Sequence, residues 1–218
     1  MSYCKTDKSL FIFNEKQYYP SDVLSALLAL GITKGDILFV HSDLTLFGKI
    51  NPEIKKNEYV DAFINAFKEA VGSEGMVIIP CFSYSFCNGA IFDPLTTLSK
   101  VGILAERFRM LPDTTRTIDP IFSVGIWGKE QNYFKAIGTD CFGKNSIFEK
   151  IYERNAKIIF IGPTFDMTYL HFIEQRYGGV PYRYMKKFSG QIKLDGVLVD
   201  CIFNYSVRSR ERTFRYAL

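Results

Sequence analysis

The chain has 218 residues, 47% hydrophobic and 23% charged, an ordinary globular composition that excludes a wholly disordered chain. Its 27 Lys and Arg against 23 Asp and Glu leave a formal net charge of +4, too small an excess for a dedicated nucleic-acid binder. That length predicts one domain, residues 1–218, which buries roughly 70% of its unfolded surface without a disulfide or metal staple.

The N-terminus has no sustained apolar h-region, and no apolar run approaches the roughly 18 residues of a membrane span. A cytoplasmic protein without membrane insertion is the expectation. Five cysteines (Cys4, Cys81, Cys87, Cys141 and Cys201) are scattered without a CxxC, which reads as reduced thiols. Two histidines, His41 and His171, are too few for a histidine-rich zinc site, so no metal is expected.

In chain order, Ser21 is expected to cap a first helix whose Val23, Leu24, Leu27 and Leu28 share a face, with Gly31 ending it. The apolar run 37–40 reads as a strand that stops at His41-Ser42. A second helix is expected over 59–71, with Val60, Phe63, Ile64 and Phe67 on one side, followed by Gly72, Gly75 and a strand over 76–80. The segment 81–100 has no clear period; a loop that long in a domain is usually functional. A helix over 102–111, a loop, and a strand over 121–128 follow. Ser146 opens a helix running to about Arg154, a third buried strand covers 157–162, and a loop leads into a helix carrying His171. Asp195-Gly196 between alternating residues predicts a closing β-hairpin, and a basic, aromatic tail begins at Arg208.

Helices alternating with short apolar strands predict an α/β domain whose sheet the hairpin makes mixed. Ligands in such folds sit at the carboxyl ends of strands. His41-Ser42 and the Thr168/His171 segment both fall there.

Three groupings carry chemistry. Thr168, His171 and Glu174 are spaced by three, so on a helix the imidazole can touch a hydroxyl one turn back and a carboxylate one turn on. A carboxylate beside a histidine raises its basicity and sets its tautomer, as a general base needs; the plain alternative is a helix histidine with a polar neighbour. His41-Ser42-Asp43-Leu44 places backbone amides after a strand, either as a ligand cradle or as a strand-ending turn. Arg116-Thr117 is either an anion clamp or a solvated loop arginine. Lys100, Arg107 and Arg109 read as anion-steering charges or as wet surface. Cys81 is a candidate nucleophile without a specified base, so a buried structural thiol is the better reading. The sequence contains no P-loop, no GxGxxG opening a helix and no GxSxG elbow.

Taken in order, GITKGDILFVHSDLTLFGKI, GSEGMVIIPCFSYSF, FDPLTTLSKVGILAERFR, TRTIDPIFSVGIWG, FGKNSIFEKIYERNAKIIFIG and TYLHFIE resemble the aminoglycoside 3-N-acetyltransferase family, which is distinct from the GCN5-like acetyltransferases. The resemblance implies a three-layer α/β/α fold with a mixed central sheet. It also implies transfer of an acetyl group from acetyl-CoA, as co-substrate, to an amine of an aminoglycoside or related amino sugar. By position His171 matches the family's base, Thr168 would line the thioester, and Glu174 would orient the base or hold the cationic acceptor. His41, Ser42, Asp43 and Leu44 match the turn against the pantetheine arm. Arg116, Thr117 and Ser123 match one cofactor-holding motif; Phe142, Gly143 and Ser146 match another. Tyr84 and Asp93 in the aromatic loop are candidate acceptor contacts.

The sequence departs from the family at Asp43, where a serine is usual, and at Asp119, where a histidine is usual, which puts two extra carboxylates in or near the expected site. The chain is also shorter than antibiotic-modifying members. Those departures keep two alternatives open: an N-acyltransferase for a nucleotide-linked amino sugar in surface-polysaccharide synthesis, and a non-catalytic CoA or nucleotide binder. A purely structural or interaction module is the remaining class. Aromatic residues of the hairpin offer a contact for a homodimer.

Overall fold

The computed structural model describes residues 6–162 and 167–209; Cys4 and most of the basic tail lie outside them. In chain order the elements are β1 (Phe11–Phe13), β2 (Lys16–Tyr18), α1 (Pro20–Ala29), β3 (Ile37–Ser42), β4 (Lys49–Ile50), α2 (Lys56–Val71), β5 (Met76–Pro80), α3 (Ile103–Arg109), β6 (Thr115–Arg116), β7 (Val124–Gly128), α4 (Gln131–Lys135), α5 (Ile147–Glu153), β8 (Lys157–Ile161), α6 (Tyr169–Arg176), β9 (Arg183–Leu194) and β10 (Val197–Arg208).

Local chemistry accounts for several boundaries. Helix α1 begins one residue before the expected cap, with Pro20 at its first position and Tyr19 as the N-cap. Proline has its φ preset and no N–H to satisfy there, and the Asp22 carboxylate accepts the Tyr19 N–H at 2.7 Å. Gly31, at φ 79°, follows its end as expected. Helix α2 starts at Lys56, ahead of the apolar period, because Glu58 reaches back to the Lys55 N–H at 3.1 Å. Strand β7 begins at Val124 and not at residue 121. Asp119 Oδ1 accepts the N–H groups of Ile121 and Phe122, both at 2.8 Å, which withdraws those amides from any ladder.

The central sheet has the order β6-β7-β5-β3-β8. Strand β3 runs parallel to β5 and β8, whereas β7 is antiparallel to both β5 and β6. The sheet is therefore mixed, but β6 and β7 make it so. The C-terminal hairpin forms a separate two-stranded sheet, and β2-β1-β4 form a small antiparallel one. Strand β8, expected to be buried, is the edge of the central sheet and only half-buried along most of its length.

Alternation along the strands divides the interior into two cores. Leu38, Val40, Val77 and Ile79 face one side, packing against α1, α2 and α3 through Leu27, Phe63, Phe67 and Phe108. Phe39, Met76, Ile78, Val124 and Ile126 face the other, against Phe134, Phe148, Phe172, Ile192 and Phe203. Helices α5 and α6 and the hairpin thus form the third layer of an α/β/α arrangement. The hairpin turns at Asp195 and Gly196, at φ 49° and 84°, the pair of positive values a two-residue primed turn requires. Two loops strap it down: Phe92 N–H donates to Gln191 O at 3.0 Å, and Cys141 N–H donates to Asn204 O at 2.9 Å. Among the described residues, no helix is long and apolar enough to cross a membrane.

Candidate active site

Thr168 is the N-cap of α6, and the His171 N–H donates to its carbonyl oxygen at 3.0 Å, so the three-residue spacing places the two one turn apart. One turn further on, Glu174 Oε2 lies 3.1 Å from His171 Nδ1. On the opposite edge of the ring, Arg183 Nη2 lies 2.8 Å from Nε2. A guanidinium only donates, so Nε2 accepts and the imidazole proton sits on Nδ1, directed at Glu174. Arg183 comes from the start of β9 and is fixed there: Nη1 donates to Ser206 O at 2.7 Å, and Nε ion-pairs with Glu174 Oε2 at 2.9 Å. The Tyr182 hydroxyl donates to Glu174 Oε1, so Glu174 ties the imidazole, the guanidinium and a phenol together. Phe142 packs edge-on to the imidazole, ring centres 5.6 Å apart.

Burial, then the charge of Arg183, hold His171 below the usual histidine range against the upward pull of Glu174. For Glu174 burial pushes upward, but the Tyr182 hydroxyl, His171 and Arg183 outweigh it and hold the carboxylate below its ordinary value. The site thus contains a neutral imidazole backed by an ionised carboxylate, the pairing a general base requires.

At the carboxyl ends of parallel strands β3 and β5 lies a cavity of about 270 Å³, lined among others by His41, Ser42, Pro80, Tyr84 and Thr168. That is smaller than the roughly 300–1,000 Å³ of pockets that enclose a whole ligand. His41 stacks on Phe160 at 5.4 Å and meets Phe39 edge-on at 5.0 Å. Burial lowers it to about 4, and its buried Nε2 has no hydrogen-bond partner. An orphaned buried nitrogen is costly unless something else satisfies it. Thr168 connects this cavity to His171, so two of the sequence groupings converge. Tyr84, at φ 55°, joins them on the cavity wall.

The other candidates stand elsewhere. Arg116 is buried, donating through Nε to Ser123 Oγ at 3.1 Å, through Nη2 to Cys81 O at 2.6 Å and through Nη1 to Thr97 O. Ser123 Oγ also donates to Cys81 O, and Thr117 Oγ1 accepts the Val124 N–H. This trio is an internal brace and not a loop clamp. Ser146 caps α5, its hydroxyl accepting the Glu149 N–H at 3.1 Å. Gly143 abuts Asp140, leaving no room for a Cβ. Asp43 caps the short turn over 44–46 by accepting from Thr45, and Leu44 is buried beneath it. Asp93 accepts from Leu95 and Thr96 in its own turn and pairs with Lys193 at 3.6 Å.

The two extra carboxylates do not form an acceptor-facing pair, since Asp119 is fully buried and occupied by Ile121, Phe122 and Cys141. Arg107 pairs with Asp61 and Arg109 with Glu106. Cys81 is a structural thiol: fully buried, its Sγ beside Ile79 O and Ala105 O, and pushed up to about 12 by burial.

The profile of the aminoglycoside 3-N-acetyltransferase family matches residues 39–211. The chain belongs to this family of acyltransferases. A similar family member from Bacillus subtilis (strain 168), the prophage-derived aminoglycoside N(3')-acetyltransferase-like protein YokD, is 26% identical over 197 residues, covering 78% of this chain and 68% of that protein. Aminoglycoside N(3)-acetyltransferase IV from Salmonella is 26% identical over 170 residues, covering 76% of this chain and 62% of that protein. The acetyltransferase fold recurs in aminoglycoside acetyltransferase AAC(3)-Xa (TM-score 0.75, 22% identity, 91% of this chain and 74% of that one). It recurs also in AAC-IIIb, solved as a binary complex with CoASH (TM-score 0.73, 20% identity, 91% of this chain and 79% of that one).

Within this acetyltransferase, sequence reasoning missed Tyr182 and Arg183. They arrive through the turn over 177–182, and no local pattern signals that the first residues of the hairpin return past Glu174 of α6. Gln175 was missed likewise; its Nε2 donates to both Asp140 oxygens, at 3.1 and 3.0 Å, and so fixes α6 against the loop that carries Phe142.

Proposed function

We propose that this protein transfers the acetyl group of acetyl-CoA directly to an amine of an aminoglycoside or related amino sugar, with His171 as general base. The observation that carries this is the neutral imidazole held between Glu174 and Arg183, one helical turn from the strand-end cavity. Membership of the family supplies the reaction class, and the names of the relatives supply the acceptor class.

The thioester is already activated, so no covalent enzyme intermediate is required. The amine reaches the site chiefly as an ammonium ion, and His171 Nε2 takes its proton. The amine nitrogen then bonds to the thioester carbon, and a tetrahedral oxyanion forms. Its collapse breaks the C–S bond, releasing the amide, whose nitrogen sheds its second proton to solvent, and a thiolate that recovers the proton held by His171. A positioned base contributes about 10²–10⁴-fold, and alignment of two bound reactants adds to that. The slot beneath His41 and Ser42 suits the pantetheine arm. The oxyanion donors are the Thr168 hydroxyl and backbone amides near His41.

The test is release of free CoA from acetyl-CoA by purified protein across a panel of aminoglycosides and nucleotide-linked amino sugars. Turnover on an aminoglycoside that drops at least about 10²-fold in His171→Ala, with the circular dichroism spectrum intact, supports the assignment. Equal turnover in the variant overturns the role of His171, and turnover confined to nucleotide-linked sugars overturns the acceptor.

A further inference from the structure

We propose that Arg183 is a positioning residue: its guanidinium holds His171 as the Nδ1–H tautomer with the lone pair at Nε2, so that the base meets the acceptor's ammonium group unprotonated. The inference deepens the acyl-transfer reading and rests on it for its catalytic consequence, although the tautomer itself does not depend on turnover.

Arg183 Nη2 stands 2.8 Å from Nε2. Were Nε2 protonated, two N–H groups would face each other, and in the imidazolium two positive charges would also lie in contact; with Nδ1 alone protonated, both ring nitrogens are satisfied. The guanidinium is also held through Nη1 on Ser206 O at 2.7 Å and by the ion pair of Nε with Glu174 Oε2 at 2.9 Å, the oxygen that faces His171 Nδ1. For Nε2 to take a proton from an incoming amine Nη2 must leave the lone pair, and the Nη1 bond to Ser206 O and the ion pair with Glu174 keep the cation partnered when it does.

The groups facing His171 come from four segments. Glu174 lies on α6 itself. Tyr182 and Arg183 stand at the entry of β9, and Tyr205 of β10 hydrogen-bonds to Arg183. Phe142 meets the ring from the loop before α5, beside Asp140, whose carboxylate is taken up by Gln175. Arg183 is thus the cation in direct contact with the ring, opposite the carboxylate of Glu174.

This arrangement has a consequence at each end of the proton transfer. Before reaction burial, and then the positive neighbour, keep the imidazole unprotonated. Once Nε2 has taken the ammonium proton, the imidazolium faces Arg183 again, and repulsion drives that proton on to the departing thiolate. Glu174 prevents the base from becoming too weak to act.

Two measurements test the inference. Nitrogen-15 NMR of the imidazoles is readable because the chain has two histidines, and the His171→Ala spectrum assigns them. The expected wild-type spectrum at neutral pH shows His171 protonated at Nδ1 and bare at Nε2; an Nε2–H tautomer or an imidazolium overturns the proposal, whether or not an acceptor is turned over. In Arg183→Met, the His171 titration midpoint and the acid limb of kcat/KM both move to higher pH, so activity falls more at pH 6 than at pH 8. Arg183→Lys, which keeps the charge, returns the limb toward the wild-type position. A loss equal at every pH, or a rise in KM with an unmoved acid limb, assigns Arg183 to hairpin structure or acceptor binding and sinks the inference. Failure of the acyl-transfer reading itself shows separately, as unchanged turnover in His171→Ala.

Discussion

The Arg116 guanidinium donates through Nη2 to the carbonyl oxygen of Cys81 at 2.6 Å, across 35 residues of chain. The same side chain reaches Ser123 Oγ and Thr97 O and lies over the Phe92 ring at 5.1 Å. Burial lowers it to about 10, so it remains charged at neutral pH. Arg116→Met would strip a charge-assisted donor from several buried oxygens. The expected cost is about 3 kcal/mol, read as a lower urea midpoint with an unchanged slope in ligand-free protein. A residue that only held a cofactor would leave that midpoint where it is.

His41 links pH to stability. Its ordinary value of 6.5 falls to about 4 in the fold because burial penalises the cation. The unfolded chain therefore binds a proton that the folded chain refuses. Stability from this site is complete above pH 6.5 and is lost as the pH falls through about 4, a loss of about 3 kcal/mol. His41→Phe keeps an aromatic ring against Phe39 and Phe160 and removes the orphaned Nε2. The variant is expected to be as stable as wild type at pH 7 and to lose less stability between pH 7 and 4. Parallel denaturation curves for the two proteins over that range would refute the assignment.

Ser146 serves α5 as its N-cap. Ser146→Ala removes the acceptor for the Glu149 N–H and is expected to cost about 1 kcal/mol, whereas Ser146→Asp, which restores a capping oxygen, recovers most of it. Thermal unfolding of the three proteins decides this, and an alanine variant as stable as wild type would exclude the capping role.

Gly143 abuts the carboxylate that holds α6. A Cβ there would sit 2.2 Å from Asp140 Oδ2, and Asp140 is the group that holds Gln175 of α6. Gly143→Ala is expected to push the carboxylate aside and shift His171 relative to the cavity. A misplacement of about 1 Å can cost as much as 10²-fold, so kcat should fall at least tenfold while binding of CoA, followed by calorimetry, changes little. Full kcat in the variant would show that α6 does not depend on this contact.

How far the sequence could be read follows the range of the interaction concerned. The apolar run 37–40 and the 76–80 strand were legible because both faces of β3 and β5 are covered, which demands uninterrupted apolar residues. Ser146 and Gly31 were legible because caps are local, and so was the Asp195-Gly196 turn. Apolar period did not mark the start of α2, since the capping carboxylate of Glu58 and not the apolar face set it. Nor did it mark the start of β7, because Asp119 competes for the backbone over two residues. The small β2-β1-β4 sheet pairs residues 11–12 with 49–50, and no local pattern announces such a partner.

By itself the sequence determined the alternation of helices and strands, the hairpin turn, and the line of Thr168, His171 and Glu174 along one helix, because each depends on residues a few positions apart. It also determined the family, since six motifs in order specify more than any one of them. Only the tertiary structure decided that Arg116, Ser123 and Cys81 form a buried brace, and that β6 and β7, not the hairpin, make the central sheet mixed. It alone brought Arg183 from β9 onto the nitrogen of His171 opposite Glu174. Residues 12 positions apart on different elements meet only after a hairpin has packed against a helix, and nothing in their spacing requires them to meet.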